Sequence, residues 1–347
     1  MLESVGPATH RRAWRRTDDF TPSAPKVELV VKPLPLPLSP TQVLIKVHAV
    51  ALNYRDANIA NGGNPWPVLP HGILGNDAAG EVIAAGDKVA SLVVGDRVAP
   101  VIDTEFVTGR EPGRSWLAAD EDGVLADHIV FDETLVAKLP PHLDWVNCSI
   151  IPCAGTTAWS ALKGLSIGQK CTGGVAMFAL KLAQASGLKV ILSSSSDAKI
   201  EAIRKRFPSA PTYGVNYRAN PDWHADVLEL TGGVGVDLVV ENGGTSSLVQ
   251  SVKCTRRGGV VSQVVYLGEQ NPVHLRDFVS TIIDRRVNVR GINAGSRLDL
   301  EDLCAAISAT KLRFDDIIDA VFEFEQAEEA IRYLWEGRQV GKLVLRL

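Results

Sequence analysis

Long apolar runs are missing from this chain. No stretch approaches the ~20 residues needed to span a bilayer, so a membrane partner is not expected. Cysteine is scarce. Cys148, Cys153, Cys171, Cys254 and Cys304 are odd in number and scattered, without a CxxC pair. That excludes a disulfide framework and suits a reducing interior. Charge of one sign is not in excess either. The net charge of −4 and pI near 6.0 argue against a nucleic-acid surface. Internal repeats and low-complexity tracts are absent. What is present is 347 residues, 46% of them hydrophobic, enough for two domains with cores of their own. A basic run, His10 to Arg16, reads either as a mitochondrial presequence or as a first strand. Glu3, Asp18 and Asp19 argue against the presequence, and a cytoplasmic location is expected.

The organising stretch is Gly164 to Lys199. Thr172-Gly173-Gly174 is a glycine turn, followed by Val175, Phe178, Ala179, Leu182 and Ala183 at helical spacing. Gly187 ends that helix, and Lys189 to Leu192 is strand-like. A pyrophosphate can sit on the free N–H groups and positive dipole end of such a helix. NAD-binding chains place an acid at the end of the second strand to hold the ribose 2′-OH. Here Ser193, Ser194, Ser195 and Ser196 stand there, with Lys199 one turn on. Hydroxyls and a lysine suit a 2′-phosphate, which favours NADP(H). A plain helix-capping loop is the other reading, and both can hold. The strand before the turn reads as truncated: only Gln169, Lys170 and Cys171 separate Gly168 from Thr172.

Residues 1 to about 150 read as β-rich, with Val27 to Val31, Val43 to Val50, Gly80 to Ala85, Gly95 to Val101 and Val124 to Phe131 as strands. Short strands with frequent turns suggest a partly open β-barrel. A helix is expected over Ile150 to Leu162. Strand and helix then alternate to Val265, the pattern of a doubly wound parallel sheet. Gly341 to Leu347 is a final strand, expected to return to the first domain.

Six segments then carry a resemblance. They are Leu52-Asn53-Tyr54-Arg55-Asp56, Gly75-Asn76-Asp77-Ala78-Ala79-Gly80-Glu81-Val82, Val94-Gly95-Asp96-Arg97-Val98, Gly123-Val124-Leu125-Ala126-Asp127, Pro152-Cys153-Ala154-Gly155-Thr156-Thr157-Ala158-Trp159, and Val340-Gly341-Lys342-Leu343-Val344-Leu345. In this order the chain resembles the medium-chain dehydrogenase/reductase superfamily, in its zinc-independent, quinone-oxidoreductase-like branch. The resemblance implies an α/β protein. A GroES-like domain would span 1–145 and a Rossmann NADP-binding domain 146–295, with 296–347 returning to the catalytic domain. The active site would lie between the domains. It also implies a homodimer joined through the Rossmann sheet edge. Zinc-dependent relatives ligate their catalytic metal with Cys, His and Cys. Carried onto this chain, those places are Asn53, Asn76 and Cys153, and carboxamides are poor zinc ligands. The four-cysteine structural zinc loop is absent, since Val98 to Val124 holds no cysteine. His71, His128 and His142 rebuild no site at recognisable spacing. No metal is expected.

Without a metal, the expected chemistry is direct hydride transfer to a quinone, an enone or another unsaturated carbonyl. Asn53 and Tyr54 are candidate donors to the developing oxyanion, with barrel packing the other reading of Tyr54. Arg55 and Asp56 read either as bridges to partners or as a structural pair. For the cofactor, Gly173, Gly174 and Val175 would face the pyrophosphate, and Thr157 would lie near the nicotinamide. Ser194, Ser195, Lys199 and Tyr217 would hold the 2′-phosphate. Asn242, Gly243 and Gly244 follow a strand at its carboxyl end, where open sheets bind ligands. Arg297 is either a phosphate partner or a surface charge. Trp66, Phe106 and Trp116 suggest an aromatic substrate pocket or simple loop packing. The truncated strand keeps two alternatives open. One is an impaired relative serving as a scaffold, and the other is an error in the gene's exon boundaries. An enoyl reductase partner of a polyketide synthase shares all these motifs.

Overall fold

The computed structural model describes residues 9–163, 174–208, 212–265 and 270–347. They form two compact units: the residues up to Ala154 with Gly295–Leu347, and Gly155–Ala294.

The first unit is mostly strand. Its elements are β1 (His10–Arg16), β2 (Val27–Pro33), β3 (Gln42–Leu52), α1 (Tyr54–Ala60), β4 (Ala78–Ala85), β5 (Arg97–Pro100), β6 (His128–Asp132), β7 (Val136–Lys138) and α2 (Trp145–Ser149). The basic run at His10 is thus a strand, paired antiparallel with β2. Strand β3 (QVLIKVHAVAL) organises the unit. Its β-branched and aliphatic residues are nearly all buried, and it pairs antiparallel with both β4 and β6. Ile45 and Leu52 of this strand fill the core together with Ile59, Ile73, Leu74 and Leu125.

The second unit holds α3 (Thr156–Leu162), α4 (Gly174–Ala185), β8 (Val190–Ser194), α5 (Asp197–Arg206), β9 (Thr212–Asn216), α6 (Trp223–Leu230), β10 (Val236–Glu241), α7 (Thr245–Cys254), β11 (Thr255–Gln263), α8 (Phe278–Arg285) and β12 (Asn288–Gly291). Every strand pair described here is parallel: β8 with β9, and β10 with β11 with β12. Strand, helix, strand alternation forces that arrangement, because a parallel neighbour needs a crossover. The truncated stretch before the glycine turn lies outside the described residues, as do Cys171 and Gly173.

The chain then returns to the first unit with α9 (Arg297–Thr310), β13 (Ile318–Glu323), α10 (Ala327–Trp335) and β14 (Lys342–Arg346). Strand β14 lies between β13, parallel, and β3, antiparallel. The resulting path β13-β14-β3-β4-β5-β7 does not close into a barrel. The helix expected over Ile150 to Leu162 divides instead. A single π-helical turn, Ile151–Gly155, precedes α3. Pro152 inside it has no N–H to give a regular helix.

Candidate functional site

Asn53 sits just before α1, and Asn76 and Asp77 sit just before β4. Cys153 lies on the π-helical turn, a device frequent at functional sites. Lys342 opens β14. These five meet within the first unit. The Asn53 side-chain amide donates to Asn76 Oδ1 at 3.0 Å and to Asp77 Oδ2 at 2.9 Å. Its Oδ1 accepts from Lys342 Nζ at 2.7 Å, and Lys342 also donates to Asp77 Oδ2 at 3.2 Å. The Cys153 backbone N–H donates to Asp77 Oδ1, and Asn76 Nδ2 stands 4.0 Å from Cys153 Sγ. Lys342 is 3% exposed and Asp77 not at all.

Burial pushes the Asp77 carboxyl above its ordinary range, while Lys342, Asn53 and the Cys153 N–H pull it back. Burial, reinforced by Asp77, pushes the Cys153 thiol up to about 12, so it stays protonated at neutral pH. One thiol, two carboxamides and a carboxyl already bonded to the Lys342 ammonium fit zinc poorly, since it takes several thiolate, imidazole or free carboxylate ligands. Among the described residues no three His, Cys, Asp or Glu gather to hold an ion. His128 bonds Asp127 at 3.1 Å, and His142 bonds the Leu312 carbonyl at 3.1 Å. Hydrogen bonds organise the segment where relatives carry structural cysteines. Thr104 and Ser115 donate to Glu121 at 2.5 and 2.7 Å, and the Ser115 N–H donates to Asp103 at 2.9 Å. Trp66 packs edge-on against Trp116, ring centroids 5.9 Å apart.

Asp56, in the first turn of α1, is fully buried and accepts from the Asn53 N–H at 2.7 Å through Oδ2. Its Oδ1 is buried and makes no hydrogen bond among the described residues. Burial raises this carboxyl, and Arg55 only partly compensates. An acid with a raised folded pKa favours folding below its unfolded pKa. That contribution is lost as pH rises through the folded value. Asp56→Asn is therefore expected to melt with wild type at about pH 4 and roughly 2–4 °C higher at about pH 8. Thermal melts at the two pH values check this; an equal difference at both would refute it.

Of the donors read from the sequence, Asn53 has both amide N–H groups engaged, and Tyr54 is partly exposed and stacked on Trp335 at 6.3 Å. Asn53 is thus a fixed scaffold rather than a free donor. Lys342 and Asp77 went unassigned, although a lysine heading an otherwise apolar strand and an aspartate in an apolar run are visible signals.

In the second unit, Ser194 ends β8, with Ser195 next to it. Tyr217 follows β9, and its N–H donates to the Ser194 carbonyl at 3.1 Å, so these two share the carboxyl edge of parallel strands. Lys199 is exposed on the first turns of α5. Asp197, the nearest acid, accepts from Asn216 Nδ2 at 2.9 Å. Asn242, Gly243 and Gly244 lie between β10 and α7. A Cβ on Gly243 would strike Ser247 Oγ and come within 3.2 Å of Glu241 Oε1, so a side chain there would push Ser247 off Glu241. Glu241 is buried and accepts from the Gly243 N–H and from Ser247, each at 2.6 Å, and from Ser251. Gly174 opens α4, Val175 is partly buried, and Thr157 is buried on α3. Parallel strands with helix N-termini following their carboxyl ends suit a nicotinamide dinucleotide. Arg297 opens α9 in the first unit and is paired with Glu301 at 2.5 Å.

The family model described as alcohol dehydrogenase GroES-like domain matches residues 39–141, and that described as zinc-binding dehydrogenase matches 174–309. A zinc-type alcohol dehydrogenase-like protein of Schizosaccharomyces pombe is 33% identical, over 90% of this chain and 93% of its own. The chain belongs to the medium-chain dehydrogenase/reductase superfamily. A solved member from Sinorhizobium meliloti 1021, described as an alcohol dehydrogenase, is 30% identical with a TM-score of 0.83. It covers 98% of this chain and 99% of its own. The Streptomyces 2-octenoyl-CoA carboxylase reductase CinF, in complex with NADP and 2-octenoyl-CoA, shares the fold. Its TM-score is 0.80 at 21% identity, covering 98% of this chain and 88% of its own. Medium-chain dehydrogenase/reductases are oxidoreductases whose fold binds a nicotinamide cofactor, and this chain is one of them.

Proposed function

We propose that this chain is an NADPH-dependent, zinc-independent reductase of a quinone, enone or other unsaturated carbonyl. The observation that carries the reading is the Lys342 ammonium bonded to Asn53 and Asp77 beside a protonated Cys153. That set supplies fixed positive charge without a metal. A bound nicotinamide supplies hydride. The second unit's residues bind and orient the cofactor, and the first unit's polar cluster supplies the fixed charge. The preference for NADPH rests on the hydroxyl-rich end of β8 and on Asp197 being held by Asn216. Exposed Val279 and Ile283 on α8, with β12 an edge strand among the described residues, support a homodimer.

The test is fluorescence titration of the purified chain with NADPH and NADH, followed by a screen of quinones and enones with and without a chelator. Tighter binding of NADPH and chelator-resistant turnover support the reading. A folded protein that binds neither nucleotide would sink it. Lys199→Ala is expected to weaken NADPH binding by roughly 10- to 150-fold, the value of one charged hydrogen bond, and to leave NADH binding unchanged. Equal loss for both nucleotides would place Lys199 away from the 2′-phosphate.

A further inference from the structure

We propose that the first unit carries a binding site for a small organic acid: a cleft between β5, β7 and α9, with the ligand carboxylate on Arg97 and its apolar body along the cleft wall. The proposal does not depend on the reductase reading. The cleft measures about 740 Å³ and is built within one unit, from segments inside 91–141 and 297–308. Ligand clefts run to roughly 300–1,000 Å³, with apolar walls and a few converging polar groups. Leu92, Val136, Leu139 and Cys304 supply such a wall, all of them nearly fully buried. Helix α9 contributes positions 297, 301, 304, 305 and 308, whose spacing puts them on one face. Val93 and Val94 stand in the turn between the lining residues Leu92 and Gly95. They are 64% and 62% exposed, which adds apolar surface beside the cleft.

The charges select the ligand. Three cations line the cleft, Arg97, Lys138 and Arg297, against two acids, Asp96 and Glu301. Both acids are already committed. Lys138 Nζ pairs with Asp96 at 2.9 Å, and Arg297 pairs with Glu301 at 2.5 Å. Arg97 is left over, since it joins no ion pair among the described residues. Its guanidinium is held by other means. It lies over the Trp145 ring, 4.0 Å from the centroid, and donates to the Pro141 carbonyl at 3.2 Å. Its Nη2 points at Cys148 Sγ, 3.8 Å away. Its Nε–H makes no hydrogen bond among the described residues. A guanidinium has five N–H donors, so Arg97 is short of acceptors.

A carboxylate matches this need. It is planar, it accepts from a guanidinium fork in two parallel bonds, and its single negative charge brings the lining to neutrality. The stack on Trp145 fixes the fork in advance, so little side-chain freedom is lost on binding. A cationic ligand meets a lining that is already net positive. A neutral one leaves Arg97 as it was.

Octanoate is the probe, with octanol and octylamine as its neutral and cationic counterparts. Each is titrated into the intact chain by isothermal calorimetry at low salt, with and without NADPH. Octanoate is expected to saturate with Kd on the order of 0.1–1 mM, and NADPH to leave that value unchanged. Octanol and octylamine should bind at least about tenfold more weakly. Arg97→Gln should weaken octanoate by about tenfold or more, and Arg97→Lys by less. Ala305→Trp keeps the decision open should Arg97→Gln fail to fold. Ala305 is exposed on α9, so an indole there fills the cleft without touching a charge, and octanoate binding should be lost. Thermal melts confirm that each variant is folded. No saturation by octanoate would overturn the proposal, as would octanol binding equally well. Octanoate binding to folded Ala305→Trp within about threefold of wild type would place the acid elsewhere and overturn it too, and displacement by NADPH in that variant would put it at the nucleotide edge.

Discussion

Asp77→Asn is expected to melt on the order of 10 °C below wild type at neutral pH. Asp77 is fully buried, and its carboxylate is the only charged partner of the buried Lys342 ammonium among the described residues. Removing one member of a buried pair leaves the other uncompensated, which costs about 3–5 kcal/mol. For a unit of some 200 residues, each kcal/mol moves the midpoint by roughly 2–4 °C. The same substitution also disturbs the Cys153 N–H and the Asn53 amide, both of which donate to this carboxyl. Adding Lys342→Met should restore most of the lost stability, since replacing both partners removes the charge as well as its mate. Differential scanning calorimetry of wild type, the two single variants and the double variant measures the coupling directly. A single Asp77→Asn variant melting within about 2 °C of wild type would show that the carboxyl is held neutral.

Gly341→Ala should be comparably severe, by a different route. Gly341 has φ +131°, a conformation that costs a side-chain-bearing residue about 1–3 kcal/mol. A Cβ there would also strike the Ile317 carbonyl oxygen, a backbone atom that cannot rotate aside. That oxygen accepts the Lys342 N–H, so the pairing of β13 with β14 must open to admit the methyl group. Overpacking adds about 1–3 kcal/mol. Together these predict a fall in midpoint near 10 °C. Displacement of Lys342 should also lower turnover even in the fraction that remains folded. Activity assayed well below the midpoint separates the two effects. Wild-type turnover with a lowered midpoint would show that the lysine re-finds its partners.

The elements that could be read from the sequence were those with a strong period. Strands at Val27 and Val43, and the alternation from Asp197 to Cys254, emerge within a few residues of expectation, because burial on one face dictates the pattern. Helix α1 escaped notice because YRDANIA buries Asp56 beside Ala57, Ile59 and Ala60, which blurs any apolar stripe. Strand β12 (NVRG) is too short and polar to announce itself. The site was legible in outline only. Positions 53, 76 and 153 could be tested for zinc one by one, and the structure assembles them. Lys342 was hidden because it lies 289 residues from Asn53. Local pattern marks it merely as the polar start of a strand. Arg297 starts a helix and is tied to its own i+4 glutamate, a pairing that the sequence spacing allows but does not single out.

Strand β14 sets an order of events during synthesis. The sheet built on β3 keeps one edge open until residues 342–346 have left the ribosome, after all of Gly155–Ala294 has been made. The second unit can close around its own core while the first still waits, with Leu52, Val50 and their neighbours uncovered. The buried ammonium therefore arrives last. Until then Asn53 and Asp77 remain solvated, and the nascent first unit is the stage at which the chain most needs protection from aggregation.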